Sequence, residues 1–323
     1  MAKILARQIA EFMTLICNLL LGVIKESLGD IFDKINANVI VAQNVVGKLP
    51  SEWNGSAYNV VEQLSSNVAL PIAGFILTFV LCCELVSMVT DKNSLQDVDT
   101  FMFFKYVFKA AIAVFLVSHA FTMSSAVFDV AQFAITKAAA LDTTSADALK
   151  IDQLTELLQN EQNEINSHSV DIDKMSKEEA KATSDFMLAK LKSYAPVILE
   201  VLIVRLGLYF LVIYILIIAY SRMIEIYLYL SMASIPLATV SNREWGNIGT
   251  NYAKNLAALG LQGVFIIVCI IIYGVLVQDF AGGASDMKEL RDGLFQVLIY
   301  SALLAMSISK SHAMAKSIMS ANG

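Results

Sequence analysis

From Pro196 to Tyr220 the chain reads PVILEVLIVRLGLYFLVIYILIIAY, an apolar run in which Glu200 and Arg205 are the only charges. At 1.5 Å per residue, roughly 20 apolar residues span a hydrocarbon core of about 30 Å. Four more runs approach or reach this length: Val68–Val89, Tyr106–Val127, Leu256–Val277 and the shorter Leu294–Ser309. Composition agrees. The 323 residues are 57% hydrophobic and 16% charged, against an average of about 45–50% apolar in soluble domains. The expected fold is an all-α, polytopic transmembrane protein with about five crossings.

The N-terminus adds an amphipathic helix. Ile9, Phe12, Met13, Ile16, Leu19, Leu20, Val23 and Ile24 recur at helical spacing, with Arg7, Glu11, Thr14, Asn18 and Lys25 largely opposite. Such a helix suits an interface, although a crossing or packing against protein remains open. Lys3 and Arg7 precede this apolar region, but no small-residue cleavage site follows at signal-peptide distance.

The segments that follow divide the chain into five parts. Residues 1–66 form the N-terminal helix and an extracytoplasmic region, 67–129 a transmembrane hairpin, and 130–195 an acidic helical loop. Residues 196–312 form a C-terminal membrane core, and 313–323 a tail. Within the loop, Leu141–Ser193 holds eleven acids and six lysines. Leu154, Leu157, Leu158 and Ile165 mark one amphipathic helix there. Ser176 and Glu179 form a capping box for a second, expected to end before Pro196.

Charge distribution bears on the stretch SMASIPLATVSNREWGNIG, Ser231–Gly249. If residues 223–240 do not cross, Lys92, Lys105, Lys109, Arg222, Arg243, Lys254, Lys310 and Lys316 share one side. The acidic loops 141–193 and Asp279–Asp292 then share the other. That is the positive-inside arrangement, with the C-terminus cytoplasmic. Pro236 lacks a backbone donor and ends or kinks a helix. Ser231, Ser234, Thr239, Ser241 and Asn242 can satisfy the carbonyls it frees, and irregular backbone at membrane depth persists only under cover of protein or water. A Pro-broken, non-spanning element over 223–240 is therefore expected, with a simple kinked helix as the alternative.

Ionisable groups inside crossings are candidates for function. Glu84 and Lys109 enter from the same face to comparable depth and can pair. His119 and Arg205 lie at similar depth from the other face, and Glu200, one turn from Arg205, can pair within its own helix. Helix packing is the simpler use for all of them, a proton or substrate path the more specific one. Arg243, Glu244 and Trp245 follow the broken element and suggest either an interfacial anchor or a surface for a cytoplasmic partner. Gly246, Gly249, Gly260, Gly263 and the Ala253/Ala257 pair permit close helix contact.

The four cysteines, Cys17, Cys82, Cys83 and Cys269, all fall in apolar segments without metal-ligand spacing. His168 and His312 have no ligand cluster nearby. No phosphate loop, H-E-x-x-H or G-x-S-x-G motif occurs. Neither an enzyme nor a cofactor or metal site is expected, so energy-driven transport would need a separate ATPase.

The stretch SMASIPLATVSNREWGNIGTNYAKNLAALGLQG, residues 231–263, together with this layout, resembles the TrbL-type polytopic subunit of type IV secretion and conjugation systems, in the branch found in Gram-positive conjugative elements. The resemblance implies a membrane channel or scaffold subunit for DNA or protein export, forming a homo-oligomeric ring and meeting a traffic ATPase. Pro236 and Leu237 match that family's Pro-containing element, and Arg243 to Gly249 its polar connection. The acidic 141–193 loop suits assembly with a protein partner better than direct phosphate contact, which favours basic surfaces. A standalone secondary transporter is the alternative, although the paired broken helices of transporter repeats are not visible here. A membrane protein of immunity or phage resistance is a third.

Overall fold

A computed structural model describes residues 2–90, 100–141, 152–169, 176–281 and 287–319. These residues are helical, without strands: α1 Ala2–Gly47, α2 Pro50–Trp53, α3 Gly55–Leu64, α4 Leu70–Thr90, α5 Thr100–Ser118, α6 Ala120–Ala139, α7 Asp152–Ser169, α8 Lys177–Ser231, α9 Ser234–Leu237, α10 Gly246–Ala281 and α11 Met287–Ile318. Among the described residues six helical segments are long and apolar enough to cross a membrane: Ile4–Ile31, Gly55–Thr90, Phe101–Ser118, Lys177–Ser231, Gly246–Val277 and Lys288–Ile318. The protein is an all-α polytopic membrane protein. Lys92, residues 282–286 of the Asp279–Asp292 loop and two stretches of the acidic loop, 142–151 and 170–175, lie outside the described residues.

The chain divides into two units. The first comprises Met1–Val41, Asp142–Leu216 and Cys269–Met306, the second Ala42–Leu141, Ile217–Val268 and Ser307–Gly323.

In the first unit α1 buries Ala10, Thr14, Cys17, Leu21, Ile24, Leu28 and Ile31. This spacing of four and three residues is the seam of a coiled coil. Of the apolar face read from the sequence, Ile24 joins this seam, while Ile9, Phe12 and Leu19 point outward. Small and medium side chains bring two backbones together, while the bulkier apolar ones are left for an apolar surround. On α8 the same rhythm buries Ala180, Thr183, Met187, Tyr194, Val197, Val201, Val204 and Leu208. The Cys17 thiol contacts the Met187 carbonyl at 3.4 Å, and thirteen residues further along α1 Asp30 pairs with Arg205. Both helices advance together at these contacts, so they run parallel.

This seam corrects the expected end of the second loop helix. The Ser176 capping box forms, with Glu179 N donating to Ser176 Oγ at 3.2 Å and Ser176 N to Glu179 Oε2 at 2.7 Å. The helix it starts then continues through Pro196 to Ser231. Pro196 is exposed while Tyr194, Val197 and Val201 are buried around it. The ring therefore disturbs only the outer face, and the packed inner face keeps the helix whole.

α7 folds against the start of α8 in antiparallel fashion. Lys190 Nζ binds Glu161 at 2.8 Å and Glu164 at 2.6 Å, Tyr194 donates to Glu161 at 2.5 Å, and the His168 and Phe186 rings stack 4.0 Å apart. Leu157, Leu158 and Ile165 form the buried face of α7, and Gln162 donates to Asn18 of α1 at 2.7 Å. The Leu154 side chain lies outside the described residues. The C-terminal helices join the same unit: Tyr273 and Ser301 hydroxyls meet at 2.9 Å, and Gly207 leaves no room for a Cβ beside Leu298.

In the second unit α3 runs into α4 through one π-turn, Ser65–Ala69, where Leu70 N–H reaches back five residues to Ser65 O. The extra residue lies directly before Pro71, whose ring crowds the carbonyl four residues earlier in a regular helix. α5 and α6 meet at His119, whose backbone departs from helical geometry (φ −110°, ψ 17°).

Candidate functional site

The expected broken element is a compact reversal in the second unit. α8 ends at Ser231, α9 provides one turn containing Pro236 and Leu237, and α10 begins at Gly246. Backbone bonds carry the turn: Ala238 N to Ser234 O at 3.1 Å, Thr239 N to Pro236 O at 3.2 Å, Asn242 N to Thr239 O at 3.0 Å. The Thr239 hydroxyl adds a bond to Pro236 O at 2.8 Å. Ser231, Ser234, Thr239 and Ser241 are all buried. Polar side chains thus enclose a segment that would otherwise hide unsatisfied backbone groups.

After the turn α10 folds back on α8. Tyr252 donates to Tyr229 O at 3.1 Å, and seven residues later Leu259 O accepts from Arg222 Nε at 3.2 Å, seven residues earlier on α8. One helix advances as the other retreats, so they are antiparallel. Within this unit the chain turns back at 231–245.

Apolar packing seats the turn. Ala238 and Ile235 join Ala73, Leu77, Ala113 and Val117 in one cluster, placing the Pro236 turn against the α4–α5 hairpin. Asn242 Oδ1 accepts from Glu244 N at 2.7 Å and Trp245 N at 3.0 Å, a cap just ahead of α10. Trp245 stacks on Phe79 of α4, with centroids 5.7 Å apart and planes 17° off parallel.

Glycine serves two purposes here. A Cβ on Gly249 would lie 2.6 Å from Pro236 O, and one on Gly246 3.2 Å from Val240 O. These two permit contact with the turn rather than between long helices. Gly260 and Gly263 do support helix contact, facing Ala131 and Ile135 of α6, and Gly263 also faces the Arg222 guanidinium.

The structure brings Glu84, Lys109 and Arg243 together. Lys109 Nζ donates to Glu84 Oε1, and Tyr106 ties α5 to α4 through Leu81 O at 3.1 Å. Arg243 reaches the same place, a cavity of about 290 Å³ that Lys105 also lines. The connection after the broken element and the charges of the hairpin are therefore one site. Glu244 is exposed beside it.

His119 and Arg205 have neighbours of their own. His119 sits in the second unit, its Nδ1 3.0 Å from Phe115 O and its ring 4.5 Å from that of Phe115. Arg205, in the first unit, pairs with Asp30, which Tyr209 also approaches at 3.5 Å. Asp30 is a partner on another helix, beyond the within-helix Glu200 expected for Arg205.

Arg222 is a further functional candidate that charge counting alone does not find. Its side chain is 3% exposed, with Nη1 donating to Val46 O at 3.3 Å and Nε to Leu259 O. Val46 lies in the last turn of α1, where carbonyls lack helical donors and cations are favoured. Gln132 serves the adjacent Gly47 O at 3.0 Å. The sequence signal is Gly263, whose missing side chain lets the guanidinium reach α10. Nearby, His312 contacts Glu225 at 3.6 Å and Gln262 at 3.3 Å. Among the described residues no group of three His, Cys, Asp or Glu could hold a metal ion.

Neither the curated proteins nor the solved structures contain a match to the chain. One family model does match, described as TrbL/VirB6 plasmid conjugal transfer like protein, over residues 35–170 and 151–234. The match ends two residues before Pro236, so it reaches the hairpin charges and α8 but not the Arg243–Gly249 connection. Running from residue 35 to residue 234 of 323, it covers more than half of the sequence, and the chain belongs to the TrbL/VirB6 family of plasmid conjugal transfer-like proteins.

Proposed function

We infer that this protein is a non-enzymatic channel or scaffold subunit of a conjugative type IV secretion system, helping DNA or protein cross the cytoplasmic membrane. The observation that carries this reading is the family match on a chain whose described residues include six helices long and apolar enough to span a bilayer. The subunit works as a homo-oligomeric ring with other secretion components. Its C-terminus and the 231–249 reversal face the cytoplasm, in keeping with the basic residues gathered on that side. Arg243, Glu244 and Trp245 present the surface on which a traffic ATPase docks, and Pro236, Leu237, Gly246 and Gly249 shape it. Glu84 and Lys109 hold the hairpin to this surface, while His119 and Arg205 serve helix packing in the membrane.

The test is gentle isolation from the native membrane, with the mass of the complex and its components measured. The expected result is a multiple of the 35.3 kDa chain together with an export ATPase. Recovery only as a monomer or dimer without such partners, in several mild detergents, would overturn the reading in favour of a transporter.

A further inference from the structure

Ile4–Ile31 is long and apolar enough to cross a membrane, yet the helix it lies against places half of it elsewhere. Within the first unit the Cys17 thiol meets Met187 O, and Asp30 pairs with Arg205. The apolar run of α8 starts at Pro196, nine residues after Met187 and nine before Arg205. Counted from either contact, Pro196 is level with residues 21–26 of α1. Ile4 to Leu19 therefore lie beside α8 before its apolar run begins, over about 22 Å of helix at 1.5 Å per residue.

That part of the unit belongs in water. Lys177, Lys181, Asp185 and Lys192 are exposed along α8, as are Glu156 and Glu164 on α7, which packs against the same stretch through Glu161 and Lys190. Charges of both signs standing outward at this height are costly in hydrocarbon. At the same height α1 does the reverse. Ile4, Leu5, Phe12, Leu15 and Leu19 are 59–62% exposed, and Ile9 43%. The stretches of this unit outside the described residues, 142–151, 170–175 and 282–286, carry five aspartates in 21 residues, too polar a composition to supply a matching apolar strip. An apolar patch of this extent in water marks a contact with another molecule.

The pattern of the patch selects its cover. Leu5, Ile9, Phe12, Leu15 and Leu19 follow at steps of three and four residues, the seam one helix presents to another. On its inner face α1 already uses that spacing to run parallel to α8. Gln8 is exposed in the middle of the outer seam, where the amide of an identical residue can meet it. A lone polar residue in an apolar seam fixes the register of parallel helices. Arg7 and Glu11 are the only charges between Ile4 and Leu19, and neither falls on the seam, so like charges do not face each other across it. The bilayer brings like to like. α8 fixes the height of α1 relative to its own crossing, so copies in one membrane hold their seams level and pointing the same way.

We propose that the outward seam Leu5–Leu19 of α1 is a self-association surface, closed by the same seam of a second copy in a parallel, in-register helix pair. This gives the homo-oligomer of the proposed function a contact outside the bilayer, and it rests on that reading.

The test places single cysteines at Leu5, Phe12 and Leu19 in the cysteine-free full chain, in its native membrane, and oxidises them with copper phenanthroline. Disulfide-linked dimers are expected at all three positions and not at Lys181→Cys, which is exposed at the same height on α8. Phe12→Asp/Leu15→Asp should abolish the Leu5→Cys dimer, whereas Phe12→Leu/Leu15→Ile should retain it. Both positions are exposed in the single chain, and the thermal stability of the unlinked protein shows that each variant folds. A fluorophore on Leu15→Cys should be indifferent to lipids brominated in their acyl chains.

Native mass in mild detergent separates this contact from the oligomer itself. An oligomer that gives no seam dimers, or gives them equally at Lys181→Cys or in the aspartate variant, overturns the seam and leaves the oligomer standing. A monomer without crosslinks overturns both. Crosslinking only to a different protein, or strong quenching by the brominated lipids, would assign the seam to another partner or to the bilayer and overturn the proposal.

Discussion

Pro196 and Pro236 stand in similar apolar, helix-forming sequence, yet α8 runs straight through the first and the chain reverses at the second. At Pro196 the ring faces outward and the buried side keeps its heptad spacing from Met187 to Leu208. The bond lost to proline is then at the exposed side, and the packed seam outweighs it. At Pro236 neighbours supply the opposite conditions. Buried hydroxyls take up freed carbonyls, Asn242 caps the next helix, and Gly249 lets that helix return against the turn. A proline removes one donor wherever it stands, and the side chains around it decide whether the helix survives.

The sharpest way to break this comparison is Gly249→Ala. The added Cβ would meet the Pro236 carbonyl, backbone that cannot swing aside as a flexible side chain could. Overpacking of this kind costs about 3 kcal/mol at its upper end, so a marked loss of thermal stability in detergent is expected. A change within experimental error would mean the turn is loosely held. Pro196→Ala should act in the opposite direction, raising stability by about 1 kcal/mol as the missing helical bond returns without an internal-proline penalty. Asn242→Ala should cost about 1 kcal/mol, the usual loss of a helix cap. Pro236→Ala should be the mildest, within about 0.5 kcal/mol, because the surrounding bonds already hold the reversal. If Pro236→Ala proves more damaging than Asn242→Ala, the proline itself makes the turn, and the contrast with Pro196 fails.

Apolar length located five of the six candidate spans among the described residues, missing Ile4–Ile31 and the break at His119, and local spacing gave the Ser176–Glu179 box and the buried face of α7, since both depend on residues a turn or two apart. Glu84 and Lys109 could be matched by depth because their helices form a hairpin. Asp30 could not be foreseen as the partner of Arg205, being 175 residues away in a stretch without an evident span. Nor could the inward face of α1, because hydrophobicity ranks Phe12 above Cys17 while close packing prefers the reverse. Arg222 looked like a boundary charge. Only the end of α1 at Val46 and the gap at Gly263 give its guanidinium a buried place.

The chain turns back at Ser231–Trp245, and we propose that it does so on the cytoplasmic side. The most direct test of this uses a cysteine-free background, with Cys17, Cys82, Cys83 and Cys269 replaced, and single cysteines at Glu244, Ser317 and Gln159. A membrane-impermeant maleimide is applied to intact cells and to inverted vesicles. Glu244→Cys and Ser317→Cys should label only in inverted vesicles, and Gln159→Cys only in intact cells. Labelling of Glu244→Cys from the same side as Gln159→Cys would contradict the account.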